Sequence, residues 1–514
     1  MHFYPKSIPK TTLVQIPMYI IMSKNNKFLE KWKYLVIFAW KNGNFWYFCI
    51  EKVEIFRIKN SKQCCYMLKR QADTYIENFY KSTNKALLIT GARQIGKTFS
   101  IREFGKQWKV FVEINFIENA GAAELFKNVK GADDLLLRLS VFSKKKLEKG
   151  KTLIFFDEVQ ACPEVVTAIK FLVDEGSYRY IMSGSLLGVE LKDLRSEPVG
   201  YMGVKEMYPL NLEEFVRAIG IGDNVIDHLR QSWEESKPVD DFIHTKMMEL
   251  FRLYLIVGGM PAAVSKYVET NNLQQVMQIQ KDIIAMYKRD IAKYDPKNKL
   301  AINDIFDLIP PELDSKNKRF ILKNLNENAK YDRYHNSFLW LKNAGAAIPV
   351  YNVEEPKQPL LLARSRNLLK LFLCDVGLLA AMYAEGIQMR ILRGDKDINH
   401  GSVYENAVAQ ELFAHGIELF YYNNKKRGEV DFVVTFAGNV LPIEVKSGKD
   451  YNQHRALANI MDCNEYTLPK AIILCNDNLS CVGKLIYAPI YMAMFFRKDE
   501  SAPLEYKVDL SGIV

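Results

Sequence analysis

Eight consecutive residues, Gly91-Ala92-Arg93-Gln94-Ile95-Gly96-Lys97-Thr98, constrain the fold of this chain more than any other feature. They satisfy G-x-x-x-x-G-K-[ST] at every fixed position. The apolar run Ala86–Thr90 before them reads as a short buried strand, and the residues after Thr98 have helical spacing. A strand, a glycine loop and a helix in that order form the unit from which parallel α/β sheets are built. Glycines let the loop backbone close round a phosphate, and the N–H groups at the helix start then face the anion. In this pattern Lys97 reaches the β- and γ-phosphates and Thr98 places its hydroxyl on Mg²⁺. The expected nucleotide-binding set is therefore Gly91, Ala92, Arg93, Gln94, Ile95, Gly96, Lys97 and Thr98, with ATP and Mg²⁺ as cofactors.

About sixty residues later, Leu153-Ile154-Phe155-Phe156-Asp157-Glu158 is an apolar strand ending in two acids. A phosphate loop needs a carboxylate on a nearby strand tip to hold Mg²⁺, which suits Asp157. Glu158 suits the base that orients the attacking water. A third strand, 178–182, runs into Ser183-Gly184-Ser185, where Ser183 is a candidate γ-phosphate contact.

The chain of 514 residues is too long for one core, and its 48% apolar and 25% charged residues are those of a globular protein. Residues 1–66 carry 11 Lys and Arg against 3 Asp and Glu. They hold +8 of the formal +10, so the rest of the chain carries only +2. A global basic field for nucleic acid is thereby excluded, leaving only local patches. Residues 1–66 also hold 14 aromatic residues without a sustained amphipathic period. They are expected to be a spurious or disordered extension upstream of Met67. Lys41-Asn42-Gly43-Asn44 interrupts the apolar stretch 34–50, which leaves it too short to span a membrane. The eight cysteines show no paired metal-ligand spacing, as suits a reducing, cytoplasmic location.

Strands alternate with helical patterns over 67–220, and the pattern is helical over 221–300 with a break at Gly258-Gly259-Met260-Pro261. Residues 301–385 read as helices over 301–308, 314–329 and 331–344, then a strand pair over 347–351 and 370–374. That order suits a winged helix, whose third helix would offer Tyr331, Asp332, Arg333, Tyr334, His335 and Asn336 to DNA. Within 386–514, Glu405 lies on a helix over 402–414, Asp431 near the start of a strand, and Glu444 and Lys446 on the next strand after the Gly438-Asn439 turn. Residues i and i+2 of a strand share a face. Two carboxylates and a lysine on one face can hold Mg²⁺ and activate water against a phosphodiester.

The phosphate loop, Phe155-Phe156-Asp157-Glu158-Val159-Gln160, Met182-Ser183-Gly184-Ser185, Tyr208-Pro209-Leu210 with Glu213-Glu214-Phe215, and Gly258-Gly259-Met260-Pro261 together resemble one family. It comprises the prokaryotic AAA-type ATPases with a C-terminal nuclease-like domain of unknown function. The resemblance runs from Met67 to the C-terminus. It implies ATP binding, hydrolysis and a PD-(D/E)xK fold at the end, and Glu405, Asp431, Glu444 and Lys446 match that motif position by position. Many relatives carry Gly-Arg before Tyr-Pro-Leu. Here the pair is Gly200-Tyr201, and Arg195 is the nearby substitute for a phosphate-sensing arginine.

The expected fold is α/β: a P-loop parallel-sheet ATPase core (67–220), a helical lid (221–300), a winged helix (301–385) and a C-terminal nuclease-like α/β domain (386–514). The expected catalytic residues are Glu158, Lys97, Asp431, Glu444 and Lys446. The expected metal ligands are Thr98, Asp157, Glu405, Asp431 and Glu444. The expected function is ATP hydrolysis coupled to a nucleic-acid or protein partner, with DNA a candidate through the winged helix and C-terminal domain. The alternatives are an ATP-regulated metal-dependent DNA nuclease and a non-hydrolysing nucleotide switch or scaffold.

Overall fold

A computed structural model describes residues 36–41, 44–49, 68–185, 200–294, 298–395 and 400–498. The chain divides into two compact units, Met1–Cys65 and Tyr66–Val514. In the first, β1 (Val36–Lys41) and β2 (Asn44–Cys49) pair antiparallel, with Lys41 opposite Asn44. This hairpin is regular structure inside the segment expected to be spurious or disordered. The remainder of that expectation, with Met67 and Arg195, lies outside the described residues.

The second unit begins with α1 (Gln71–Ser82), followed by a five-stranded parallel sheet. Its strands are β3 (Ala86–Thr90), β4 (Val110–Asn115), β5 (Thr152–Asp157), β6 (Arg179–Ser183) and β7 (Met202–Glu206), in the spatial order β4-β5-β6-β3-β7. α2 (Lys97–Gly105), α3 (Ala132–Ser143) and α4 (Glu164–Glu175) connect them. β5 is buried along its whole length because both faces of a parallel sheet are covered. β3 and β5 are separated by β6, so the tips carrying the phosphate loop, Ser183 and Asp157 stand side by side.

Helices α5 (Leu212–Ile219), α6 (Asp223–Glu234), α7 (Asp241–Val257), α8 (Pro261–Thr270) and α9 (Leu273–Tyr294) follow. The glycine pair between α7 and α8 is sterically required. A Cβ on Gly259 would collide with the Leu210 carbonyl, and one on Gly258, where φ is +67°, with the Asp375 carboxylate. That close approach lets the Gly259 N–H donate to Asp375 Oδ2 at 2.5 Å while its carbonyl accepts from Leu210 N at 2.7 Å.

Two expectations for 301–385 are corrected. The helix expected over 301–308 is the longer α10 (Lys299–Asp314), which continues through Pro310 and Pro311 because Ile305, Phe306, Ile309 and Leu313 are all buried along it. The helix expected over 314–329 is a loop with one short turn, Leu322–Asn324. Its Ser and Asn residues bond their own backbone instead: Ser315 Oγ donates to Glu312 O, and Asn326 Oδ1 accepts from Asn328 N. Buried Glu312 draws the loop inward by accepting from Ile321 N at 3.0 Å.

After α11 (Tyr331–Asn343), β8 (Ala347–Val353) and β9 (Arg364–Leu373) pair as expected for a wing. They do not form a sheet of their own. α12 (Val376–Met382), α13 (Ile387–Arg393) and α14 (Gly401–Ala414) lead to β10 (Phe420–Asn424), β11 (Gly428–Phe436) and β12 (Asn439–Val445). α15 (Arg455–Met461), β13 (Ala471–Cys475), β14 (Ser480–Val482) and β15 (Leu485–Pro489) complete an eight-stranded sheet, β14-β15-β13-β12-β11-β10-β8-β9. β8 joins β10 in parallel, with Tyr351 opposite Phe420, so a boundary at 385 would cut through one sheet. On α11 only Asp332, Arg333 and Asn336 among the six candidate DNA-reading residues are exposed, and Tyr334 is buried. The exposed set carries no net charge, so this face lacks a basic footprint.

One apolar core runs from Leu68 through helices α5 to α9 to Phe496, touching one face of the five-stranded and of the eight-stranded sheet. Separate clusters fill the opposite faces. No helix among the described residues is long and apolar enough to cross a membrane.

Candidate functional site

Gly91 and Gly96 adopt φ of +128° and +92°, and a Cβ on Gly91 would strike the Met207 carbonyl, so glycine is required there. α2 starts at Lys97 behind Gly96, which has no side chain to cap it, and its first N–H groups point into the loop. Lys97 Nζ donates to the carbonyls of Gly91 (2.9 Å) and Ala92 (2.7 Å), both in the loop. Burial brings its pKa down to about 8, against the pull of Glu158 and Asp157.

Asp157 is 2% exposed at the end of β5 and has four donors round it. Thr98 Oγ1 stands at 3.2 Å, Asn115 Nδ2 at 3.1 Å and the Glu158 N–H at 3.1 Å, and the Ser183 hydroxyl also donates to it. Burial raises its pKa, and the Ser183 and Thr98 hydrogen bonds work the other way. Glu158, in the left-handed region (φ +56°), turns its carboxylate away from Asp157 and accepts from Gln160 and from Ser185 Oγ at 3.3 Å. The two adjacent acids are thus separated in role, one buried among donors and the other half-exposed. A loop of backbone N–H groups, one lysine, and a hydroxyl–carboxylate pair fit a nucleotide triphosphate with Mg²⁺, because Mg²⁺ takes few protein ligands when phosphates supply the rest.

Three residues of this site escaped sequence reasoning. Arg70 is 5% exposed and supports the loop from below, donating to Ile95 O (2.9 Å) and Tyr208 O (2.6 Å) and pairing with Glu214 (3.1 Å). Asn115 holds Asp157, and Ser185 faces Glu158. Asn115 has the one legible signal, a polar residue closing an apolar strand beside the Asp157 strand. Glu214 belongs to a capping box with Asn211 at the start of α5, which links the 208–215 segment to the loop through Arg70.

The C-terminal constellation is brought together, with lysines interleaved among its acids. β11 and β12 meet at a two-residue turn with Ala437 and Gly438 at φ of +49° and +70°. Phe432 stands opposite Ile443, which sets Asp431 level with Glu444. Glu444 pairs with Lys446 at 2.8 Å, and Asp431 Oδ2 accepts from Val445 N at 2.9 Å. The fully buried ammonium of Lys370, from β9, lies 2.8 Å from Glu429, 3.5 Å from Glu405 and 3.7 Å from Asp431. It also sits 5.2 Å from the Tyr421 ring. Lys318, turned inward by a left-handed backbone (φ +48°), pairs with Glu405 as well.

Glu405, Asp431 and Glu444, expected as C-terminal metal ligands, each stand beside a lysine in this structure. Among the described residues no group of three or more His, Cys, Asp or Glu is placed to hold a metal ion. Burial raises the pKa of Glu405, with the Asp431 charge adding to the effect, whereas Lys370 and Lys318 outweigh burial at Asp431 and hold it low.

α14 is buried on all sides rather than on one face. Its polar residues bond neighbouring backbone: Asn406 bridges Leu373 N and O, Gln410 accepts from Val376 N, and Glu411 accepts from Leu212 N.

Residues 83–216, which contain the phosphate loop, Asp157, Glu158 and Ser183, match the model of the AAA domain family. This segment is thus similar to an AAA domain and carries a P-loop. Residues 248–389 and 400–491 match two domains of unknown function (DUF8612 and DUF4143). Solved structures similar to the chain include the Walker-type ATPase of Pyrococcus abyssi, at 14% identity over 62% of this chain and 96% of that one, with a TM-score of 0.39. The Aeropyrum pernix Orc1 protein in complex with DNA matches at 11% over 60% and 87%, with a TM-score of 0.26. The Thermotoga maritima RuvB Holliday junction branch migration motor matches at 15% over 52% and 83%, with a TM-score of 0.24. No curated protein matches.

Proposed function

We propose that this chain binds ATP with Mg²⁺ at the phosphate loop, hydrolyses it, and couples turnover to a nucleic-acid or protein partner. The observation that carries the reading is the division of labour between Asp157 and Glu158. Asp157 is enclosed by Thr98, Ser183 and Asn115, while half-exposed Glu158 accepts from Gln160 and Ser185 instead. The loop N–H groups and Lys97 bind the phosphates, and Thr98 and Asp157 hold the metal. Mg²⁺, when bound, neutralises charge on the β- and γ-phosphates. Glu158 orients water and takes its proton, with Ser185 and Gln160 fixing the carboxylate.

Coupling is supported by the loop's contacts with the C-terminal half. Ala92 packs against Gly345 in the turn before β8, where a Cβ would come within 3.0 Å of the Ala92 nitrogen. Five free cysteines among the described residues suit the cytoplasmic location we propose. We do not read Glu405, Asp431, Glu444 and Lys446 as a metal-dependent nuclease, because Lys370 and Lys318 already offset the acids such a centre would use. The test is phosphate release by the full chain with Mg²⁺, with and without DNA. Turnover abolished in Lys97→Ala supports the reading, and tight ATP binding with no turnover in the unaltered chain would replace it with the switch.

A further inference from the structure

Arg93 is the third residue of the phosphate loop, and its backbone carbonyl follows the two that hold Lys97. Its Nε lies 3.3 Å from Ser185 Oγ, the same hydroxyl that stands 3.3 Å from Glu158 Oε2. The guanidinium and the acid we assign as base thus flank one side chain. On its other edge Arg93 Nη1 pairs with Asp290 of α9 at 2.9 Å, and Asp290 is only 7% exposed. One turn earlier on α9, the Tyr287 hydroxyl donates to the Arg93 carbonyl at 3.2 Å. One lid helix therefore grips both the backbone and the side chain of a single loop residue.

We propose that Arg93 is the transition-state arginine of this ATPase, supplied in cis, and that Asp290 is the partner from which it must be released. This rests on the ATPase reading above. A guanidinium has a planar fork of donors that matches two phosphate oxygens, and it keeps its charge at any working pH. Charge grows on the transferring group as its bond to the leaving oxygen loosens, so a cation placed there binds the transition state more tightly than the ground state. Arg93 starts one hydroxyl from Glu158, so release from Asp290 would leave its guanidinium free on the side of the loop where the carboxylate we assign as base stands. Asp290 makes the step depend on the lid. While the ion pair holds, the arginine is withheld. A movement of α9 that draws Asp290 away delivers it.

The experiment uses the full chain and measures three quantities: ATP affinity by a fluorescent nucleotide, steady-state kcat, and affinity for ADP with aluminium fluoride, which mimics the transferring phosphoryl group. Arg93→Ala is expected to lower kcat by ~10³-fold. It should weaken the aluminium fluoride complex by a similar factor while changing ATP affinity less than about tenfold. Arg93→Lys keeps the charge without the fork and should recover only part of the rate. Asp290→Asn should raise kcat by freeing the arginine. Arg93→Ala with a kcat within threefold of the unaltered chain, or with the aluminium fluoride complex intact, would overturn the proposal and leave the ATPase reading standing. Absence of turnover in the unaltered chain would overturn the ATPase reading itself.

Discussion

Lys97 and Lys370 are both buried lysines beside carboxylates, yet their ammonium groups are committed differently. Lys97 gives its hydrogen bonds to two backbone carbonyls, with Asp157 and Glu158 near but not paired to it. Lys370 gives its to Glu429, Glu405 and Asp431, and Lys318 closes the same cluster. A hydrogen bond from a charged donor to a neutral carbonyl is worth about 1.5–3 kcal/mol. A full ion pair at 4 Å and an effective dielectric of ~20 gains about 4 kcal/mol, and Lys370 has three. A phosphate can take Lys97 from its carbonyls. A cation cannot readily take Glu405 and Asp431 from Lys370. The same residue types therefore make a receptive site beside the five-stranded sheet and a satisfied ionic centre on the eight-stranded one.

The largest expected effect is at the receptive site. Glu158→Gln should lower kcat by ~10²–10⁴-fold while ATP affinity stays within a few-fold, since an amide cannot accept the water proton. A rate equal to that of the unaltered chain would remove Glu158 from the base role. At the closed centre, Lys370→Met should cost ~3–5 kcal/mol of unfolding free energy, because it leaves buried carboxylates without their counter-ion. Denaturant unfolding of the full chain checks this. A loss below about 1 kcal/mol would mean the cluster tolerates its acids unpaired and was not closed by Lys370.

A smaller effect follows from the lowered pKa of Lys97. With a free-state pKa of about 8, the ammonium is mostly present at pH 7 and mostly lost at pH 9. Bound phosphate favours the protonated form, so affinity is full below about pH 8 and declines above it. ATP affinity should fall about tenfold between pH 7 and 9. A flat profile would place the lysine charge outside the binding energy.

The receptive site was legible because its residues are contiguous. One strand, one loop and the tip of a second strand carry Lys97, Thr98, Asp157 and Glu158, and strand periodicity alone predicts those tips. The closed centre was half legible. The Gly438 turn and the alternation of Glu444 and Lys446 correctly predict a shared face beside Asp431. Lys370 was not legible, because within Leu368–Leu373 it reads as a single polar break in an apolar strand. Its partners come from α14 and β11, 35 to 61 residues away. Lys318 was hidden by the helical reading of 314–329, which local Asn and Ser bonding defeats. Arg70 reaches Glu214 across 144 residues, and no local pattern signals such a pairing.

The comparison between the two sites is tested most directly by Mn²⁺ titration of the full chain, with bound metal read by electron paramagnetic resonance. The account predicts one bound Mn²⁺ when ATP is present, lost in Asp157→Asn, and none without nucleotide. It also predicts that Lys370→Met, having exposed the acids, gains a nucleotide-independent Mn²⁺ site. Mn²⁺ bound to the unaltered, nucleotide-free chain and lost in Asp431→Asn would contradict it.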